Sequence, residues 1–221
     1  MKLEISNNLL REFDDKEFSP KYKGIFKSVE GDGRSGTDDW PFFAMERYHK
    51  YYVILGYFST HFNNSTFVEL GTRRGHGTAS LAFNPSNTVY TYNNVYEEPE
   101  NDVFNKFDNI NSYILSSEGT ETPLGNVLDS EEHANKVLNS DLIFVDVDPH
   151  DGTHEQQLFS FLSDNNYKGI TLWDDINHQL SSWWAGLSNH DHVRLFDLKS
   201  YSWADGGTGV ACFGDQEIIL Q

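Results

Sequence analysis

The fold of this chain is decided by the stretch Thr66-Phe-Val-Glu-Leu-Gly-Thr-Arg-Arg-Gly-His-Gly-Thr-Ala-Ser-Leu81. Its first five residues form a short apolar run around one acid, Glu69, and this pattern predicts a buried strand. Three glycines follow, and the apolar spacing after them predicts the start of a helix. A strand, a glycine turn and a helix N-terminus together make a nucleotide-type pocket, because glycine lets backbone N–H groups approach a ligand.

Length and composition set limits on the rest. The chain has 221 residues, which fits one domain with a substantial core. Within that single domain, we expect residues 1–63 to form a loop and helix over the substrate side and residues 64–221 to form the core. Lysine and arginine number 16 against 34 acids, for a formal charge of −18. This acidity argues against partners that need a basic face, namely nucleic acid and anionic membrane surfaces.

Cysteine usage and hydropathy indicate the compartment. The one cysteine, Cys212, excludes an internal disulfide and favours a reducing compartment, so we expect a cytoplasmic protein. No stretch approaches the ~20 apolar residues that a membrane span needs, so no membrane partner is expected.

Strand and helix patterns alternate along the core. An amphipathic helix over roughly 42–62 comes first, and its aromatic stripe indicates core packing. The glycine-rich segment 24–40 before it predicts a long loop, either functional or mobile. Helices are predicted over 131–138, 155–165 and 177–187. Strands are predicted over 66–70, 88–95, 110–115, 141–148, 168–175, 193–198 and 209–213. Alternation with short connections is typical of a mostly parallel sheet covered on both faces.

Polar residues gather where the predicted strands end. In open α/β sheets, ligands bind outside the carboxyl ends of the strands, so these residues are the candidates for a site. They are Glu69, Asn93, Ser117, Asp146, Asp148, Asp174 and Asp175. A fold without a site would not need so many acids at one edge.

Three motifs in residues 66–176 resemble the class I S-adenosylmethionine-dependent methyltransferases. The spacing Glu69-x-Gly71-x-x-x-Gly75-x-Gly77 resembles that family's first motif. Phe144-Val-Asp146-Val-Asp148 and Leu172-Trp-Asp174-Asp175 resemble the fourth and fifth strands of its small-molecule O-methyltransferases, of the catechol and macrocin type. The resemblance implies an α/β fold, a Rossmann-like three-layer sandwich whose mostly parallel seven-stranded sheet has an antiparallel last strand.

The resemblance also implies an activity and a cofactor site. The activity is S-adenosylmethionine-dependent O-methylation of a small hydroxylated molecule, assisted by Mg²⁺ or another divalent cation. Asn93 would lie at the cofactor ribose, where the family usually has an acid. The implied cofactor-binding residues are Glu69, Gly71, Thr72, Arg73, Gly75, Gly77, Thr78, Asn93, Ser117, Asp146 and Asp148.

Metal ligands and a general base follow from the same motifs. The family's metal positions match Asp146, Asp174 and Asp175, and Asp146 also counts as a catalytic residue. Pro149 stands where catechol-type members carry a catalytic lysine, so we take His150 as the first choice for the base. The chemistry agrees, since a hydroxyl is a poor nucleophile until its proton is removed or its oxygen binds a metal.

Each of these residues has a simpler alternative. Asp174 and Asp175 would also suit the capping of the helix predicted after them, or other hydrogen bonding. Asp146 would also suit orientation of the cofactor or of a loop, and His150 would suit a turn residue bonded to backbone. Three carboxylates that converge without a cation would raise one another's pKa.

Other functions stay open. A non-catalytic binding protein of the same fold is favoured by Asn93 and Pro149. A nicotinamide-dependent oxidoreductase fits the glycine spacing, but the Tyr-x-x-x-Lys pair of that class does not occur in the sequence. A histidine–carboxylate iron site would have to draw on His150, His154 and His190-Asp-His192. The acceptor and the oligomeric state, including a homo-oligomer, are not determined by the sequence.

Overall fold

The computed structural model describes residues 2–22, 46–94, 104–115, 123–187, 193–198, 201 and 206–221, with the backbone only for 46–49 and 123. The predicted loop 24–40, Ser117, His190 and His192 lie outside these described residues.

The N-terminal part begins with a strand and a helical run. Strand β1 (Lys2–Ile5) is followed by α1 (Asn7–Phe13), and Ser6 caps α1 by accepting a hydrogen bond from the backbone N–H of Leu9. A π-helical turn, Asp14–Phe18, leads into α2 (Ser19–Tyr22), and α3 (Glu46–Thr60) follows. The described part of α3 lies within the predicted helix 42–62.

Among the described residues, seven strands form one sheet. They are β2 (Thr66–Leu70), β3 (Thr88–Asn93), β4 (Ile110–Ile114), β5 (Leu142–Val145), β6 (Ile170–Trp173), β7 (Arg194–Asp197) and β8 (Gly209–Cys212). The order is β4-β3-β2-β5-β6-β8-β7. Strands β2 to β6 run parallel, and β8 is antiparallel to both β6 and β7. The predicted α/β fold, with its antiparallel last strand, is confirmed.

Two apolar clusters pack on the two faces of this sheet. The first joins α1, α3 and α4 (His76–Leu81) to one face, through residues such as Phe67 and Phe144. The second joins the other face, through residues such as Val68 and Ile143, to the remaining helices. Those helices are α5 (Pro123–Asp129), α6 (Glu131–Leu138), α7 (Thr153–Asp164) and α8 (Ser181–Gly186). Helix, sheet and helix therefore form the three predicted layers.

Two segments of the chain were not predicted as they are found. The apolar C-terminal segment forms a strand, β9 (Glu217–Leu220), which pairs in parallel with β1 so that Leu3 lies opposite Ile218. The predicted helix 177–187 begins only at Ser181, because residues 176–180 form a turn. Across the described ranges, no helix combines the length and hydropathy needed to cross a bilayer.

Candidate active site

The glycine turn joins β2 to α4. Gly71 and Gly75 have φ values of +98° and +81°, in the left-handed region that favours glycine. A Cβ at Gly71 would overlap the carbonyl oxygen of Asp146, and one at Gly75 would come within 2.7 Å of the Phe104 ring. Close packing of the turn against β5 and Phe104 is therefore enough to require both glycines.

Backbone N–H groups of this turn bond inside the protein. The N–H groups of Gly71 and Thr72 donate to the carbonyl oxygen of Tyr92 at 2.9 and 3.2 Å, and that of Gly75 donates to Thr72 at 2.8 Å. These three groups are occupied, so a ligand at this turn cannot be held by them in the way that a phosphate is held at a helix N-terminus.

Glu69 is a buried carboxylate fixed by threonine hydroxyls. Its Oε2 accepts hydrogen bonds from Thr78 Oγ1 and, at 2.6 Å, from Thr91 Oγ1. Thr91 Oγ1 also lies 2.5 Å from Thr72 Oγ1. A Cβ at Gly77 would strike the other carboxylate oxygen, so glycine is needed there too. Burial of a charged group is tolerated when it is hydrogen-bonded in this way, and the network holds the turn to β3.

Sequence reasoning did not identify Thr91. The sequence feature that could have identified it is a threonine at an inward-facing position of β3, two residues after the buried Val89. Thr72 and Thr78, which were predicted to bind the cofactor, belong to the same network around Glu69.

Alternation along the strands places several polar residues on one face. Phe67, Phe144, Leu172 and Val210 belong to the apolar cluster beneath α3. Side chains two positions apart along a strand lie on the same face. The residues two positions from these four, toward this edge of the sheet, therefore lie on the α3 side as well. These positions are Glu69, Asp146, Asp174 and Thr208. We call this edge the α3-face edge. The topology brings these residues together, because the parallel strands β2, β5 and β6 end at this edge and the antiparallel strand β8 begins there.

His150 lies against Asp146 at this edge. Its Nε2 is 3.3 Å from Asp146 Oδ1 and 3.7 Å from Asp148 Oδ1, and its Nδ1 is 3.9 Å from Glu155 Oε1. The His150 side chain and that of Glu155 are buried, whereas the Asp148 side chain is 98% exposed. Asp146 and His150 are therefore brought together, while Asp148 points its carboxylate into solvent.

The charge of His150 follows from these neighbours. Burial by itself lowers the pKa of His150, but the hydrogen bond to Asp146, the charge of Asp146 and those of two neighbouring aspartates raise it to about 9. The imidazole is therefore protonated at neutral pH and donates to Asp146. A role as general base, which stays a prediction, requires that another positive charge first lower this pKa.

Asp174 and Asp175 follow β6 directly. Burial, and then the charges of Asp146 and Asp175, raise the pKa of Asp174 well above its usual value. Burial likewise raises the pKa of Asp175, although the charge of His150 opposes this. Neither residue caps α8, because the cap position is Leu180, which makes no side-chain cap bond. Capping is therefore not the reason for these two acids.

The three predicted metal ligands lie near one another. The charge of Asp146 raises the pKa of Asp174 and of Asp175, as expected for neighbouring carboxylates. Within the described ranges, however, no group of three or more His, Cys, Asp or Glu side chains is arranged as a metal site. The assignment of Asp146, Asp174 and Asp175 to a metal stays a prediction.

Helix α3 contributes two tyrosines to the α3-face edge. Tyr51 and Tyr52 are buried, and burial followed by the charges of Asp174 and Asp146 raises the pKa of both. The Tyr52 ring contacts the ring of His76, whose pKa burial and the nearby arginines lower to about 3. The sequence indicated core packing for the aromatic stripe that includes Tyr52, within a segment expected to cover the substrate side, and it did not single out Tyr51. The sequence feature that indicates a further role for Tyr51 and Tyr52 is that these buried residues are tyrosine, which carries a hydroxyl group, and not phenylalanine.

Two further residues predicted to bind the cofactor are Asn93 and Arg73. Asn93 ends β3, is buried, and its Oδ1 accepts a hydrogen bond from the backbone N–H of Asn94 at 3.1 Å. Arg73 lies in the glycine turn with φ of +46°.

Comparison with known proteins gives a result at the level of the fold. No protein-family model and no curated protein matches this sequence. Solved structures do match. A putative O-methyltransferase from Klebsiella pneumoniae is 12% identical with a TM-score of 0.55, over 94% of this chain and 95% of that chain. An O-methyltransferase from Bacillus cereus, in complex with SAH, is 14% identical with a TM-score of 0.55, over 93% and 96%.

A methyltransferase from Geobacter sulfurreducens gives a similar result. It is 12% identical with a TM-score of 0.51, over 73% of this chain and 76% of that chain. At these identities the likeness establishes the fold, and the fold resemblance to class I methyltransferases that the motifs predicted is confirmed.

Proposed function

We propose that this protein is an S-adenosylmethionine-dependent methyltransferase that methylates a hydroxyl group of a small molecule. The observation that carries the proposal is the α3-face edge, where Asp146, Asp174 and the Asp146-bound His150 lie beside the glycine turn. The solved O-methyltransferases of the same fold support it.

The turn and the edge suit this cofactor. S-adenosylmethionine carries no phosphate, so it does not need the N–H groups of Gly71, Thr72 and Gly75, which bond within the protein. Its sulfonium and ammonium groups are positive, so they would be attracted to the Asp146 carboxylate and would favour the charged forms of Asp174 and Asp175, whose pKa values are raised in the free protein. In this proposal Asn93, at the end of β3, faces the ribose.

A divalent cation at Asp146, Asp174 and Asp175 is part of the proposal. Carboxylate oxygens are the ligands that Mg²⁺ prefers, and like charges at short range favour a bound cation. When bound, such a cation would lower the pKa of a coordinated acceptor hydroxyl. His150 would then hold its proton less tightly and so become available to accept one from the acceptor.

The N-terminal part would complete the acceptor side. Residues 1–63 include α3, whose tyrosines reach the α3-face edge from above the sheet. Water would be kept away from the reacting groups by these buried rings. Direct displacement at a sulfonium depends mainly on such positioning of the two reactants.

Calorimetric titration with S-adenosylmethionine, with and without Mg²⁺, tests the proposal. We expect binding, and a loss of affinity of about tenfold or more for Asp146→Asn because one attractive charge is removed. Asp164→Asn, an exposed acid at the end of α7, is the matched control and should bind like the wild type. Failure to bind at millimolar cofactor would refute the methyltransferase proposal.

Turnover separates the finer parts of the proposal. Release of S-adenosylhomocysteine with a panel of hydroxylated acceptors should fall when a chelator is added. Turnover that is indifferent to chelator would exclude the metal. Binding without turnover on any acceptor would favour the non-catalytic protein, an alternative that Asn93 in place of an acid supports.

A further inference from the structure

Glu155 is a buried acid in the first turn of α7. The residue is 1% exposed, and its Oε2 accepts a hydrogen bond from the backbone N–H of Gly152 at 3.1 Å, which caps the helix. Its other oxygen, Oε1, is buried and has no hydrogen-bond partner among the described residues. Buried oxygens are nearly always paired, because an unpaired one loses its bonds to water without replacement. Glutamine would cap the helix equally well, so capping does not explain an acid here.

The ring of His150 faces this unpaired oxygen. Its Nδ1 lies 3.9 Å from Glu155 Oε1, and its Nε2 lies 3.3 Å from Asp146 Oδ1. Each ring nitrogen therefore faces a carboxylate, one after β5 and the other on α7. Burial raises the pKa of Glu155, whereas backbone hydrogen bonds and the charge of His150 lower it. The Nδ1–Oε1 separation is longer than a hydrogen bond, and such contacts in a free enzyme commonly shorten when substrates bind.

The turn between β5 and α7 holds the ring in this place. His150 has φ of +55°, in the left-handed region that is uncommon for a residue with a Cβ. Its backbone N–H donates to Val147 at 3.3 Å, and a Cβ at Gly152 would lie 3.1 Å from the Trp183 side chain, so the turn is packed against α8. Unfavourable backbone conformations persist where the surrounding structure fixes them, and they cluster at functional sites.

We propose that Glu155 is a positioning residue for His150, with its Oε1 accepting a hydrogen bond from the Nδ1–H group. The bond that one ring nitrogen makes decides which nitrogen keeps the proton of a neutral imidazole. Held in this way, the neutral ring keeps its proton on Nδ1 and presents Nε2 beside Asp146. The O–H bond of the acceptor then breaks as an Nε2–H bond forms, and the oxygen keeps the electron pair. The inference rests on the proposed function, because it deepens the role of His150 there.

Glu155→Gln separates this role from helix capping. The amide oxygen of glutamine can still accept from the Gly152 N–H, while its NH₂ group, which cannot accept a hydrogen bond, takes the place of Oε1. We therefore expect the melting temperature to change by no more than about 2 °C, whereas the bond to the Nδ1–H group of His150 is lost.

Nuclear magnetic resonance of the histidine rings measures that loss, at neutral pH with chelator and without cofactor. The Nδ1–H proton of His150, assigned from its absence in His150→Gln, should be visible in the wild type. Glu155→Gln should speed its exchange with water by about tenfold or more, as expected for one lost hydrogen bond. Asp151→Asn is the matched control, because this exposed acid of the same turn accepts from the Thr153 N–H at 2.9 Å and faces solvent. Unchanged exchange in Glu155→Gln, or no such proton in the wild type, would overturn the proposal.

Turnover of the panel of hydroxylated acceptors gives a second readout. Glu155→Gln should lower kcat by about tenfold or more and leave the Kd for S-adenosylmethionine within about twofold, since ring orientation affects proton transfer and not cofactor binding. An unchanged kcat would contradict the positioning role. The ring measurement needs neither cofactor nor acceptor. A wild type that binds no cofactor would therefore refute the methyltransferase, while the ring measurement would still decide the role of Glu155.

Discussion

The Nε2 atom of His150 lies 3.3 Å from Oδ1 of Asp146, and this pair links the end of β5 to the turn before α7. Asp146 in turn donates its backbone N–H to Leu70 at 2.9 Å, so the pair is anchored to the strand that leads into the glycine turn. The charge on His150 is thus coupled to the part of the fold that forms the candidate cofactor site.

This pair predicts how stability depends on pH. The folded-state pKa of His150 is raised to about 9, above its unfolded value of about 6.5, so protonation stabilises the fold. The stabilisation is fully present below about pH 6.5 and is lost as the pH rises through about 9. We expect His150→Gln, with chelator present, to lower the melting temperature most near pH 6 and least near pH 10.

The control for that prediction is His61→Gln, an exposed histidine that directly follows α3. Its effect on melting temperature should be small at every pH. A His150→Gln effect that grew as the pH rose would contradict the raised pKa.

Gly71→Ala tests the packing of the glycine turn. A Cβ there would strike the Asp146 carbonyl oxygen, and φ of +98° is unfavourable for alanine. We expect a loss of at least about 2 kcal/mol in the free energy of unfolding, measured with urea. Gly125→Ala is the matched control, because that Cβ meets nothing within 4 Å in helix α5. It should stabilise the protein by up to about 1 kcal/mol, and equal effects would refute the account.

Thr91→Val tests the support of Glu69. Valine keeps the shape of threonine but removes the hydroxyl that donates to Oε2 at 2.6 Å. Leaving a buried carboxylate short of a donor should cost about 1–3 kcal/mol in unfolding free energy. Thr88→Val, at the half-buried start of the same strand, is the control and should change stability by less than about 0.5 kcal/mol. Similar losses at both positions would mean that the hydroxyl bond is unimportant.

Asn93→Asp tests whether the end of β3 meets the cofactor ribose. A carboxylate bonds a hydroxyl more strongly than an amide does, so affinity for S-adenosylmethionine should rise by about fivefold. Asn94→Asp, one residue further along and more exposed, should leave affinity unchanged. Calorimetry measures both. Unchanged or weaker binding by Asn93→Asp would show that the ribose does not bind at the end of β3.

The sequence predicted the core well because its signals are local. Apolar runs of strand length, glycines at fixed spacing and acids at strand ends each depend on a few neighbouring residues. Once the strands are parallel, their carboxyl ends meet at one edge, so Asp146 and Asp174 were expected together and are found together. The C-terminal segment escaped prediction because its partner, β1, is about two hundred residues away in the chain.

By itself, then, the sequence determined the α/β fold, its mostly parallel sheet and the edge at which a site would lie. Tertiary structure alone decided what each side chain does there. It showed that packing against Asp146 and Phe104 requires the glycines, that neighbouring carboxylates keep His150 protonated, and that the Tyr51 hydroxyl reaches the α3-face edge without a partner among the described residues. The physical reason is that hydrogen bonding, burial and pKa depend on groups that are distant in sequence and close in space.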